Sequence, residues 1–506
     1  MIDNKLSVNN TSKFLLLASS ILMMLFSLLA FVHYPNIVSN VQYDRAILAV
    51  IFFASSVLYS IFTLEYNKAL QVAMVLCNGL CAMIITVIDS AIMQYIALEI
   101  ISLCSIIIMY SNDNSIANRR NIIIYAILHF SAGTLILSGI SGYCSSGIFK
   151  CTTNIYNIDD EIINIIITIG LLVNIASFPV SNWIFNYAHK SKISLLFLQL
   201  YSTKSGLIIL NNFANNEKIL IYFGILTTLY GLFNMFRYSS KINNHFLISY
   251  TLLQIGIIII AIGCGSDIIP YLISSIVYQS LLYLLHVNKN RNIIYYIAIA
   301  IAISSSLGFP FTGSFLAKYM LVNTIDNNYI YWYITVMSYI SAAYLSIIYF
   351  KTILNDDSID DIRRNNKDNL VNDIIIIIYS IMCVIPITFN MEGYNMTSIL
   401  KQMVFSLGFI TLVNYINKNK YIKKYNLFPN IIYKFDITNI VIAILYYTKF
   451  WSNRVICYYR MLNIYILQQV FKSSFIMQPN NGMALNGSLM CIGVVLVFLL
   501  AVILIV

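Results

Sequence analysis

Apolar stretches of about 20 residues follow one another along most of the chain. A helix rises about 1.5 Å per residue, so roughly 20 apolar residues are enough to cross about 30 Å of hydrocarbon. Of the 506 residues, 59% are hydrophobic and 10% are charged, and a soluble fold of this size cannot bury so much apolar surface. The pattern therefore predicts an all-α polytopic membrane protein with about 14 to 16 transmembrane helices.

The basic residues of the predicted loops are divided unevenly between the two membrane faces. Up to residue 291, eleven Lys and Arg residues share the side of the N-terminus, whereas three, Arg45, Lys150 and Lys218, lie on the other side. Because cytoplasmic loops carry the excess of positive charge, we expect a cytoplasmic N-terminus. The scatter of these residues over many loops argues against a nucleic-acid-binding face.

Three charged residues, Glu99, Lys204 and Lys318, lie within the apolar runs. A charge at the centre of a bilayer costs about 2.5–3.5 kcal/mol, so such residues usually face the interior of a helix bundle and take part in ion movement. The structural alternatives are a buried ion pair or a side chain that snorkels to the membrane surface. Snorkelling suits Lys318 best, because its helix can begin as late as Thr312.

Two of the seven prolines, Pro179 and Pro310, interrupt apolar runs in similar settings, after Ser177-Phe178 and after Gly308-Phe309. Proline removes a helical hydrogen bond and clashes with the preceding turn. Helices broken at corresponding places in two halves are typical of inverted-repeat transporters, whose ion sites lie at the breaks. A simple kink at each proline is the alternative.

No pattern indicates a metal or cofactor site. The nine cysteines are not spaced as metal ligands, and no glycine-rich nucleotide-binding motif follows a strand. Cys144 and Cys151 share one predicted loop and can pair if that loop faces an oxidising compartment. We therefore predict no cofactor, no metal and no catalytic site within this chain.

Five motifs occur in an order and spacing that resemble one family of membrane proteins. They are Ala97-Leu-Glu99, Asn174-Ile-Ala-Ser-Phe-Pro179-Val-Ser-Asn-Trp183, Thr203-Lys204-Ser-Gly206, Ile248-Ser-Tyr250-Thr-Leu-Leu-Gln254-Ile-Gly256 and Gly308-Phe-Pro310-Phe-Thr312-Gly-Ser-Phe315-Leu-Ala-Lys318. With them the chain resembles the proton-conducting antiporter-like subunits, which include the large subunits of Mrp-type Na⁺/H⁺ antiporters and the antiporter-like subunits of respiratory complex I. The motif at Lys204 and the lysine at position 318 are most similar to the D-type large subunits of the Mrp antiporters.

The resemblance implies a proton path, and this chain departs from it at several points. In the family, protons pass from a Glu–Lys pair through a central lysine to a charged residue at the second broken helix. The corresponding residues here are Glu99, Lys204 and Lys318, but Asn174 replaces the lysine that pairs with Glu99, and His245 replaces another lysine. The implied ion path is therefore Glu99, Asn174, Lys204, His245 and Lys318, interrupted at Asn174 because an amide cannot titrate.

Two further departures lie on the helix that follows, where Ser275 and Gln279 replace a His–Lys pair. The resemblance also implies an inverted-repeat core at 91–350, preceded by transmembrane helices at 1–90 and followed by core helices at 351–417. Residues 418–506 mix Lys and aromatic residues with aliphatic ones, which is typical of helices in the membrane interface, and end in a final transmembrane anchor.

Three functions follow from the resemblance and stay open at this point. The chain is an ion-translocating subunit of an Mrp-type cation/proton antiporter, an antiporter-like subunit of a proton-pumping NADH:quinone oxidoreductase, or a non-conducting scaffold of the same family. In each case its partners are other membrane subunits and lipid, and the transported ions are protons and, in an antiporter, Na⁺. The resemblance implies a bacterial cytoplasmic membrane as the location.

Overall fold

The structure is a computed structural model that describes most of the predicted core. It describes residues 43–63, 69–112, 116–145, 161–187, 201–213, 217–238, 242–288, 292–309, 312–323, 325, 327–354, 370–384, 408 and 411. Pro310, Cys151 and the segment 412–506 lie outside the described residues, as do residues 1–42. The disulfide, the interfacial helices and the final anchor therefore stay predictions.

Every regular element in these ranges is a helix. The helices are α1 (Tyr43–Thr63), α2 (Ala69–Val87), α3 (Ala91–Asn112), α4 (Ile116–Ser145), α5 (Glu161–Asn174), α6 (Asn182–Tyr187), α7 (Thr203–Phe213), α8 (Glu217–Arg237), α9 (Asn244–Gly263), α10 (Ile269–Val287), α11 (Ile293–Leu307), α12 (Gly313–Asn323), α13 (Asn328–Leu354) and α14 (Leu370–Val384).

Six of these helices are long and apolar enough to cross a membrane. The spans are Ala91–Tyr110, Arg119–Ser141, Lys218–Arg237, Asn244–Gly263, Ile269–Val287 and Asn328–Phe350. Four shorter apolar helices, in α2, α5, α11 and α14, accompany them. The prediction of an all-α polytopic membrane protein is confirmed.

Helices α9 and α10 form the centre of the described bundle. Residues 245–263 of α9 are all buried, as are residues 269–285 of α10. In contrast, α3 and α4 expose one row of large apolar side chains each, among them Leu103 and Phe130. Exposed apolar rows suit contact with lipid, whereas a helix buried all round belongs in the interior of a bundle. Polar side chains on α9 and α10 are therefore shielded from lipid.

Glycines bring the backbones of α8 and α9 into direct contact. A Cβ atom at Gly256 of α9 would lie 2.6 Å from the backbone nitrogen of Thr228, and one at Gly231 of α8 would lie 2.7 Å from that of Leu253. Close approach through small residues is the usual packing device of membrane helices, because lipid supplies no hydrophobic force between them. This contact fixes α8 against the central helix α9.

We expect Gly256→Ala to destabilise the protein by about 1–3 kcal/mol, because the added carbon overlaps backbone that cannot move aside. Thermal unfolding of the detergent-solubilised protein measures the effect. The control is Gly265→Asn, at an exposed residue with open space around it and a backbone φ of 71° that asparagine tolerates. Equal melting temperatures for the Gly256→Ala variant and the wild type would contradict the packing described here.

Candidate functional site

The apolar run that contains Pro179 is interrupted inside the bundle. Helix α5 ends at Asn174 and α6 begins at Asn182, with Pro179 between them after a cis peptide bond. The carbonyl oxygen of Leu172 accepts hydrogen bonds from the backbone N–H and the hydroxyl of Ser177, at 3.0 and 2.8 Å. The N–H of Phe178 donates to Thr227 Oγ1 of α8 at 3.1 Å. Local and neighbouring groups thus satisfy the backbone where the helix stops.

A second interruption separates α11 from α12. Helix α11 ends at Leu307, and Gly308 adopts a left-handed conformation with φ of 70°, which glycine adopts without steric cost. The N–H of Gly308 donates to Ser305 O and that of Phe309 donates to Ser304 O, each at 3.0 Å. Pro310 itself lies outside the described residues.

Lys318 of α12 binds the end of α11. Its side chain is buried, and Nζ donates to the carbonyl oxygen of Ser306 at 2.6 Å. The ammonium also lies 5.5 Å from the ring centroid of Tyr339 on α13, which is a favourable cation–π distance. A side chain at Gly308 would crowd it, since a Cβ there would lie 3.1 Å from Lys318 Cδ. The structure therefore places this ammonium at the interruption, in contact with the end of α11.

Lys204 of α7 is enclosed even more completely, with 1% of its surface exposed. It follows a π-helical turn at Tyr201 and Ser202, a feature that is frequent at functional sites. Nζ donates to Ser275 Oγ of α10 at 3.2 Å, and that hydroxyl donates onward to Leu272 O at 2.9 Å. Within the described ranges, neither Lys204 nor Lys318 forms an ion pair.

Helices α9 and α10 carry further buried polar side chains besides Ser275. Gln279 follows Ser275 by four residues on the same face of α10 and is buried, and its Nε2 has no hydrogen-bond partner among the described residues. The rings of Tyr278 and Tyr250 have centroids 6.4 Å apart, and within the described part of the chain neither hydroxyl has a hydrogen-bond partner. The backbone carbonyl of Ser306 binds Lys318. We call this set the polar row, formed by Ser275, Gln279, Tyr278, Tyr250 and Ser306.

His245 lies in the first turn of α9, at one end of that helix. Its ring stacks on Tyr238 at 4.8 Å and on Phe185 of α6 at 6.1 Å between centroids. Tyr250 follows it by five residues, a rise of about 7.5 Å along the helix axis. His245 is thus close in sequence to Tyr250 of the polar row, whereas its ring packs against the aromatic residues Tyr238 and Phe185.

Glu99 and Asn174 do not form the pair that the resemblance implies. Glu99 of α3 is half-buried, and its Oε1 has no hydrogen-bond partner in the part of the chain that the structure describes. Asn174 is buried at the end of α5 and accepts a hydrogen bond from Ser202 Oγ on Oδ1 at 3.3 Å. The amide at the family's lysine position therefore binds the turn that precedes Lys204.

Gly133 of α4 shapes the site because it has no side chain, and none of the sequence motifs predicted its role. A Cβ at this position would overlap the Glu99 carboxyl group, lying 2.9 Å from Cδ and in closer contact with Oε1. The absence of a side chain therefore makes the space for the carboxylate. The hydrogen bond from Lys204 to Ser275 and that from Lys318 to Ser306 were likewise not predictable from motif spacing, because each joins two different helices.

Comparisons with known proteins identify the architecture. No family model matches the chain, and no curated protein matches it. A chain of the Mrp complex from Dietzia sp. DQ12-45-1b matches with a TM-score of 0.62 at 12% identity, over 88% of this chain and 57% of its own length. A chain of the membrane-bound sulfane sulfur reductase, an archaeal respiratory membrane complex, matches with a TM-score of 0.63 at 15% identity, over 98% of this chain and 97% of its own length.

A chain of respiratory complex I from Thermus thermophilus matches as well, with a TM-score of 0.58 at 14% identity, over 78% of this chain and 92% of that one. The chain has the fold of these membrane-complex subunits. The resemblance drawn from the five motifs is confirmed at the level of the fold. Because the chain spans only 57% of the Mrp chain and all identities are low, the comparisons establish the architecture and not the activity.

We expect Gly133→Ala to push the Glu99 carboxyl group out of its position between α3 and α4, because the new carbon occupies the place of Oε1. The displaced group becomes more exposed, so a hydrophobic carbodiimide should label Glu99 faster, as measured by peptide mass spectrometry.

Gly139→Ala is the matched control on the same helix, since a Cβ there would overlap Ile167 and not a carboxyl group. An equal rise in Glu99 labelling in both variants would attribute the effect to loosened helix packing and contradict the role of Gly133.

Proposed function

We propose that this chain is a proton- and cation-translocating subunit of a multisubunit membrane complex, of the Mrp-type antiporter class and nearest to its D-type large subunits. The observation that carries the proposal is the pair of buried lysines, Lys204 and Lys318, which donate hydrogen bonds to Ser275 and to Ser306. The fold supports the proposal, because each of the three similar chains belongs to a multisubunit membrane complex.

The burial of two lysine ammonium groups inside a helix bundle requires an explanation. A charge in this position is costly, and apolar side chains of similar volume often stabilise a core as well as a buried ion pair does. Among the described residues the lysines have only neutral partners, a hydroxyl for Lys204 and a carbonyl for Lys318. Within the described part of the chain they are therefore not members of an ion pair that joins helices. A lysine amine that can hold or release a proton accounts for both sites.

The polar row supplies a route between the two amines. A serine or tyrosine hydroxyl can accept a proton on oxygen and donate its own hydrogen onward, so Ser275, Tyr278 and Tyr250 can pass a proton in either direction. Each step at Tyr278 and Tyr250 requires a bridging water molecule, because neither hydroxyl has a hydrogen-bond partner among the described residues. A proton leaving Lys204 is then taken up by Lys318 at the interruption between α11 and α12.

Lys204→Ala is expected to reduce cation-driven proton movement by the intact complex in proteoliposomes by about a hundredfold, the scale on which removing a proton-transferring group acts. Proton movement is measured with a pH-sensitive dye under an imposed cation gradient.

Lys218→Ala, at an exposed lysine on the first turn of α8, serves as the control and should transport as the wild type does. Unchanged transport in the Lys204→Ala complex would rule out the conducting role and favour the scaffold function, which the replacement of titratable residues by Asn174, Ser275 and Gln279 would then explain.

A second candidate is a subunit of a respiratory membrane complex. This candidate is favoured by the match to a polypeptide of the archaeal respiratory membrane complex. The match covers 98% of this chain and 97% of that polypeptide. In either case we propose a location in a bacterial cytoplasmic membrane, as the resemblance implies, and a cytoplasmic N-terminus, which the loop charges support.

The two complexes differ in their partner subunits. We expect the complex purified through a tag on this chain to contain small membrane subunits and no iron. Mass spectrometry of the co-purified chains and elemental analysis measure both. Co-purification of dehydrogenase-type subunits together with stoichiometric iron would contradict the antiporter and support the respiratory complex.

A further inference from the structure

The residues on either side of Lys204 contact the end of α5. Ser202 stands two positions before the lysine, and its Oγ donates to Asn174 Oδ1 at 3.3 Å. Gly206 stands two positions after it, and a Cβ there would lie 2.8 Å from Ile175 Cγ1. Asn174 is the last residue of α5 and Ile175 is the next residue in the chain. One polar and one apolar contact therefore fix α7 against the end of α5 on both sides of the lysine.

The lysine itself lies on a different face of α7. Ser202 and Gly206 are four positions apart and share a face, whereas Lys204, midway between them, is on the opposite one. From there its Nζ donates to Ser275 Oγ of α10 at 3.2 Å. The contacts with α5 thus set the rotation of α7 at which the amine faces α10.

The π-helical turn before Lys204 is formed by Tyr201 and Ser202, and each of the two side chains bonds to a different helix. The Tyr201 hydroxyl lies 3.1 Å from Ser55 Oγ and 3.4 Å from the carbonyl oxygen of Phe52, both on α1. Ser202 bonds to the end of α5. A π-helical turn is a rare conformation, and here both of its side chains have an interhelical partner. The conformation of the turn therefore depends on the partners on α1 and α5.

The contact with the turn uses one end of the Asn174 amide. Oδ1 accepts from Ser202, whereas Nδ2 is buried and has no hydrogen-bond partner among the residues that the structure describes. A buried donor left unpaired costs about 1–3 kcal/mol, and an apolar side chain of similar volume would avoid this cost. The cost is explained if the oxygen has a role of its own.

We propose that Asn174 is a positioning residue for Lys204. By accepting the hydrogen bond from Ser202, it holds the π-helical turn in the orientation in which the Lys204 amine faces Ser275. The residue at the family's lysine position thus orients a proton-carrying group and carries no proton itself, because an amide does not titrate. This inference rests on the proposed function, in which Lys204 holds and releases a proton.

The test measures cation-driven proton movement by the intact complex in proteoliposomes with either partner of this hydrogen bond replaced. Asn174→Leu has a similar volume and no acceptor, and Ser202→Ala removes the donor. We expect transport to fall by about tenfold in each, because a displacement of about 1 Å at a reacting group costs up to about a hundredfold. The double variant should transport no less than either single variant, since both remove the same hydrogen bond.

Asn174→Asp is the conservative variant, because it keeps an oxygen at the place of Oδ1 and replaces only the unpaired Nδ2. It should transport within about threefold of the wild type. The matched control is Asn234→Leu, at a buried asparagine of α8 whose Nδ2 donates to Tyr230 O of the same helix at 3.1 Å. This variant should transport as the wild type does.

A cycle with Ser275→Ala tests whether Asn174 acts through the lysine. Ser275→Ala removes the hydroxyl that the Lys204 amine faces and should lower transport by about tenfold. Adding Asn174→Leu should then lower transport by less than about twofold more, because the orientation of the amine no longer has a target. Loosened packing would instead lower transport by the same factor in both backgrounds.

Wild-type transport in the Asn174→Leu complex would overturn the positioning role. Equal losses in Asn174→Leu and Asn174→Asp would do the same, as would a full further loss when Asn174→Leu is added to Ser275→Ala. Ser202→Ala removes the same hydrogen bond from the other helix, so it decides the question if leucine at 174 prevents assembly.

Lys204→Ala, measured in the same preparation, distinguishes this failure from failure of the proposed function. If Lys204→Ala lowers transport about a hundredfold while Asn174→Leu leaves it unchanged, only the positioning role is wrong. If Lys204→Ala has no effect, conduction through this chain is wrong and the positioning role with it.

Discussion

Backbone groups released where a helix stops inside a membrane must find partners within the protein, because lipid offers none and each unsatisfied group costs several kcal/mol. This requirement organises the described bundle. At the first interruption Thr227 of α8 accepts from the N–H of Phe178, and α8 is held in place by its glycine contacts with α9. At the second, Lys318 of α12 donates to Ser306 O. The helices around each interruption are thus positioned by the groups that it exposes.

At the second interruption the exposed end of a helix also stabilises a charged side chain. The carbonyl groups at the end of a helix carry partial negative charge and favour a cation, so the end of α11 stabilises the ammonium of Lys318. Deprotonation would still leave the amine beside the same carbonyl and the ring of Tyr339. Lys204 differs, since its partner Ser275 is a hydroxyl that can also accept and pass on a proton. The two lysines are therefore suited to different ends of one path.

The two halves of the implied path are built in different ways. Between Lys204 and Lys318 the connection runs through α9 and α10, the most deeply buried helices of the described bundle. Between Glu99 and Lys204, Asn174 accepts a hydrogen bond from Ser202 Oγ, and Glu99 Oε1 has no hydrogen-bond partner within the described residues.

Much of the architecture follows directly from the residues. Long apolar runs require helices in a bilayer, and the proline at 179 predicts either a break or a kink, because its ring clashes with the carbonyl of residue 175 and it lacks an N–H. Consistent with this clash, α5 ends at Asn174, several residues before the proline. Glu99, Lys204 and Lys318 were identifiable as candidates because a charge within an apolar run is costly wherever the helix packs.

The partners of those charges were not identifiable from the residues. Lys204 and Ser275 are separated by 71 positions, and Glu99 meets a glycine with no side chain of its own. Such contacts depend on how each helix is rotated and how closely its neighbours approach, which is decided by packing among many residues at once. The sequence by itself therefore determined the membrane, the helices and the buried charges. Only the tertiary structure decided which hydroxyl, carbonyl or ring each charge faces, since that depends on contacts between helices far apart in the chain.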